Sequence, residues 1–102
     1  MAYDLLVTLP EGIARVQVKS TTRRLGGKWR VGVGRRPYSL DKTSGKAPYD
    51  PDELDYFFVV SGDGMLYLIP TSVIAGMVDI SLIAYQRYLV GNVSTLLEGK
   101  AA

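Results

Sequence analysis

The chain has 102 residues, 47% of them hydrophobic, a length that makes one small domain spanning residues 1–102 with a modest core. It contains no cysteine and no histidine, which removes disulfides, thiolate chemistry, Ser-His and Cys-His catalysis and most zinc sites, so any hydrolysis must use carboxylates, lysine and a hard metal ion. The net charge of +2 conceals a segregation: residues 15–46 hold ten basic side chains against one acid, Asp41, whereas residues 47–102 hold two against seven. A basic block facing an acidic remainder suggests a surface oriented to polyanions. No signal pattern opens the chain and no apolar run is long enough to cross a bilayer, so a cytoplasmic protein without a membrane partner is the expectation.

In chain order, Tyr3 to Leu9 reads as a first strand. It is apolar on both faces, which predicts a central position covered on both sides. Pro10-Glu11-Gly12 is a turn, and Ile13 to Ser20 is a second strand. Side chains alternate along a strand, so Arg15, Gln17 and Lys19 share one face while Val16 and Val18 take the other. Thr21 to Gly27 reads as a flexible basic loop, and Lys28 to Val33 as a third strand with Trp29, Val31 and Val33 on one face. Gly34 to Leu54 is the least regular part. It is either a functional loop, with Arg35, Arg36, Tyr38, Lys42 and Lys46 on phosphate and sugar, or a solvated and mobile one. Tyr56 to Ser61 is an apolar buried strand, Gly62-Asp63-Gly64 a hairpin turn, and Met65 to Ile69 the returning strand. Asp55 is read as capping or solvating a strand end in preference to a replacement metal ligand, and Asp50, Asp52 and Glu53 as a loop acid cluster without metal-ligand spacing.

Pro70-Thr71-Ser72 announces a short helix from Val73 to Met77, capped by Thr71 or Ser72. Asp79 caps a second helix, Ile80 to Leu89, or else a short extended piece at Ile80 to Leu82 followed by a turn takes that helix's place. Gly91-Asn92 breaks this stretch, and Val93 to Leu97 forms a last helical turn. The tyrosine-rich C-terminal region is either a subunit interface or simple packing on the sheet.

Asp4, followed thirteen positions later by Gln17-x-Lys19 on a hairpin, resembles the PD-(D/E)XK nuclease superfamily, in the branch of group I intron homing endonucleases where Gln replaces the usual Glu. The order YDLLV, ARVQVKSTT, a basic loop-rich middle, LDYFFVV and MLYLIP follows that branch over roughly the first seventy residues. The resemblance implies an α/β fold, a restriction-endonuclease-like mixed or antiparallel β-sheet core with C-terminal helices. It also implies a metal-dependent DNA endonuclease with catalytic Asp4, Gln17 and Lys19. Mg²⁺ or Mn²⁺ would be held by Asp4, the Gln17 side-chain oxygen and a backbone carbonyl near Val18, and Lys19 would orient the attacking water. The basic residues expected on DNA are Arg15, Arg23, Arg24, Lys28, Arg30, Arg35, Arg36, Lys42 and Lys46, joined by Tyr38. A homodimer or homotetramer would cut both strands. The family carries a helix with a metal-site glutamate before the first motif strand. Met1 stands two residues ahead of that strand here, so the expectation is a chain lacking both, either a truncated nuclease or a degenerate member that no longer cuts. Two other readings stand beside the nuclease: an inactive nucleic-acid-binding module on the same fold, and a structural or regulatory interaction protein.

Overall fold

A computed structural model describes residues 4–35 and 47–93. In chain order the strands are β1 (Leu5–Leu9), β2 (Gly12–Thr21), β3 (Arg24–Leu25), β4 (Lys28–Gly32), β5 (Gly34–Arg35), β6 (Ala47–Pro48), β7 (Tyr56–Ser61), β8 (Met65–Pro70), β9 (Asp79–Ser81) and β10 (Leu89–Asn92). The main sheet has the order β1-β2-β7-β8-β10, with β2 and β7 parallel and every other neighbouring pair antiparallel. A parallel pair cannot be closed by a tight turn. The long crossover from β2 to β7 contains β3 to β6, and β4 pairs with β9 to build a second, three-stranded sheet with β3.

The core lies between these layers. Phe57 and Val59 of β7 and Tyr67 and Ile69 of β8 pack against Val31, Val33, Leu54, Ile74, Ile80 and Leu82, all almost wholly buried. Each such side chain contributes about 1.5–3 kcal/mol by leaving water. Alternation sends Tyr56, Phe58 and Leu68 to the opposite face of the main sheet. There, with Leu5, Val7 and Val16, they line an open apolar concavity of about 330 Å³.

The structure corrects several expectations. β1 is an edge strand rather than a central one, with Leu5 and Leu6 49% and 59% exposed. Apolar residues on both faces of five positions do not distinguish a buried strand from an edge. The stretch after Thr21 is a tight hairpin, not a flexible loop: Arg24 pairs with Trp29 and Leu25 with Lys28. Gly26 and Gly27 turn it at φ of 60° and 78°, the paired left-handed geometry that suits a two-residue hairpin loop.

The predicted helices at Val73 to Met77 and Ile80 to Leu89 are replaced among the described residues by 3₁₀ turns, Thr71–Ile74 and Leu82–Tyr88. Thr71 lies inside the first turn, and no side chain caps it. The extended alternative at Ile80 is the one found, as β9, and Gly91 sits in a bulge of β10 rather than ending a helix. Tyr85 and Tyr88, both half-buried, pack against the core. The expected last helical turn lies outside the described residues beyond Val93. No helix among the described residues is long and apolar enough to cross a membrane.

Candidate functional site

The site begins with the β1–β2 hairpin. Pro10 and Glu11 form a two-residue loop closed by Gly12 at φ 135°, and the ladder runs from Leu9↔Gly12 to Leu5↔Val16. Asp4 lies just past its end. Its N–H donates to the Val16 carbonyl (2.9 Å), and its Oδ2 accepts from the Val18 N–H (3.1 Å). Asp4 therefore brackets Gln17 across the hairpin, its backbone N–H on Val16 and its carboxylate on Val18. Parallel pairing sets Gln17 beside Phe57 and Lys19 beside Val59, on the core-facing side of the sheet. Both remain half-buried at its margin. The Lys19 Nζ lies 5.8 Å from the centre of the Tyr49 ring.

Arg15 shares that face but is engaged elsewhere. Its Nε and Nη2 donate to the two Asp55 carboxylate oxygens (3.1 and 3.2 Å), its backbone N–H donates to Asp55 Oδ2 (2.7 Å), and Nη1 donates to the Asp52 carbonyl (2.7 Å). Hydrogen bonds from the Arg15 side chain, then from its backbone, hold the Asp55 carboxyl below its ordinary range. Arg23 and Arg30 converge on Asp79, with Arg30 Nε 2.9 Å from Oδ2. Burial pushes the Asp79 carboxyl up, but the hydrogen bonds from Arg30 and Arg23 outweigh it and the net shift is downward.

Thus three arginines of the basic block are joined to acids of the C-terminal half. Arg24 stacks over Trp29 at 4.8 Å, and Lys28 is exposed on β4. Arg36, Tyr38, Lys42, Lys46 and the Arg35 side chain lie outside the described residues. Asp55, Asp79 and Tyr49 were not legible as neighbours of these groups. They lie 30 to 56 positions away in sequence, with no local pattern to join them.

The oxygens of the Asp4 carboxylate, the Gln17 amide and the Val18 carbonyl are hard donors of the kind Mg²⁺ and Mn²⁺ take. They suit such an ion in type, but they bring a single negative charge. Water and substrate phosphate would have to complete the shell. Among the described residues no three acidic side chains converge on one point.

No family model matches this chain, and no curated protein matches it. Among solved structures it is similar to one described as a bacterial homing endonuclease, I-Ssp6803I, at 26% identity and a TM-score of 0.63, over 80% of this chain and 57% of that one. The chain therefore spans just over half the length of that protein. The fold is homing-endonuclease-like, mostly β-sheet around a mixed five-stranded core.

Proposed function

We propose that this chain, as a single domain of residues 1–102, is a metal-dependent DNA endonuclease of the PD-(D/E)XK type. One observation carries the reading: Asp4 brackets Gln17 across the β1–β2 hairpin, two residues from Lys19, on a fold similar to that of a homing endonuclease. Asp4, Gln17 and the Val18 carbonyl would hold Mg²⁺ or Mn²⁺. Bound there, the ion would supply positive charge against the phosphate oxygens. Lys19 would orient a water molecule and place N–H donors against the charge that develops in the transition state. The water oxygen would form a new bond to phosphorus and lose its proton to solvent, while the bond to the leaving sugar oxygen breaks and that oxygen takes a proton from solvent.

Arg24, Lys28, Arg35, Arg36, Tyr38, Lys42 and Lys46 are the candidates for phosphate and sugar contact. Arg15, Arg23 and Arg30 serve the fold first. A homodimer or homotetramer would bring two sites to a duplex.

Nicking of supercoiled plasmid tests the reading. Conversion to open circle in Mg²⁺ or Mn²⁺ and none in EDTA is the expected result; intact plasmid in every metal rejects it. A second reading, an inactive nucleic-acid-binding module on the same fold, is favoured by the single carboxylate at the site. It predicts salt-sensitive DNA binding without nicking.

A further inference from the structure

We propose that Tyr49 is a positioning residue for Lys19, its ring forming the floor on which the ammonium rests. Nothing in the sequence singles Tyr49 out; the fold brings it there. Its ring packs edge-on against Phe57, with centroids 5.2 Å apart and planes at 83°. Phe57 is fully buried and sits beside Gln17 on the neighbouring strand. The Lys19 Nζ then lies 5.8 Å from the Tyr49 ring centre, within reach of the electron-rich face of an aromatic ring.

The segment that carries Tyr49 is held at several points. The Asp50 carboxylate accepts the Asp52 N–H, and the Asp50 carbonyl accepts the N–H groups of Glu53 and Leu54. Leu54 is wholly buried. The Arg15 guanidinium ties Asp52 and Asp55 to β2 itself, the strand that bears Lys19. Strand and platform are thus fastened together four residues from the ammonium. A long lysine side chain otherwise samples many rotamers, and the ring narrows that choice.

The catalytic consequence rests on the endonuclease reading of Lys19; the contact does not. Reductive methylation keeps the lysine charge and makes each ammonium visible by ¹³C NMR, with the Lys19 signal assigned from Lys19→Arg. We expect an upfield-shifted Lys19 dimethyl resonance with a cross-peak to the Tyr49 ring. Tyr49→Leu moves that resonance to the position of exposed lysines, and Tyr49→Phe keeps it upfield. Single-turnover nicking by Tyr49→Leu falls roughly two- to fivefold, without weaker DNA binding. No cross-peak in the wild-type protein, or a Lys19 resonance indifferent to Tyr49→Leu, overturns the proposal. A wild-type protein that does not nick while the cross-peak is present leaves the contact standing and removes only the endonuclease reading.

Discussion

Asp55 and Asp79 act as anchors, each drawing arginine side chains across the molecule. Both carboxyls titrate below their ordinary range in the folded protein. A depressed folded value means the charged form stabilises the fold at neutral pH, and that this stability is lost as pH falls through the folded pKa. The melting temperature should therefore hold level from neutral pH to about pH 5 and drop below about pH 4. Asp79→Asn should lower the neutral plateau and flatten the acid limb; an acid limb unchanged from wild type would contradict this role. Gly62 carries a different constraint. A Cβ there would lie 2.6 Å from Trp29 Cη2, so the turn needs glycine for the indole's close approach rather than for a left-handed backbone. Gly62→Ala should cost about 1–3 kcal/mol in urea denaturation, and Trp29→Leu in the same chain should recover part of it.

The elements that sequence makes legible are those with strong local signals. The β1–β2 hairpin follows from Pro10-Glu11-Gly12 and the alternation that flanks it, and β7–β8 follows from Tyr56 to Ser61, the Gly62-Asp63-Gly64 turn and the apolar return. That Asp4 lies alongside Gln17 was legible for the same reason: Asp4 flanks the hairpin whose second strand bears Gln17. β9 and β10, of three and four residues, carry too little periodicity to separate from a helix, and the bulge at Gly91 hides the last strand's register. Edge placement of β1 and the Arg15–Asp55 and Arg23–Asp79 pairs depend on long-range packing that no local pattern records. The β3–β4 hairpin offers a test at this scale. Gly26 and Gly27 both lie in the left-handed region, so Gly27→Ala should cost about 1–2 kcal/mol and speed amide exchange in β3. Unaltered exchange would show that the turn is not confined to that geometry.

At the scale of the whole molecule, the described part of the basic block divides into arginines paired with acids, Arg15, Arg23 and Arg30, and an exposed side chain, Lys28. Lys28→Gln should reduce the salt slope of DNA binding by about one, without a change in melting temperature. Arg15→Gln should lower the melting temperature and move the slope little; the reverse pattern would contradict this division. The hairpin flanked by Asp4 and bearing Gln17 and Lys19 joins the core-spanning sheet at its edge. The most direct measurement is single-turnover nicking in Mn²⁺ by wild type beside Lys19→Ala and Asp4→Asn, with DNA affinity measured in Ca²⁺. The account predicts metal-dependent nicking that falls on the order of a hundredfold in both variants while affinity is kept. Equal nicking by wild type and both variants, or none by the wild type, would contradict it.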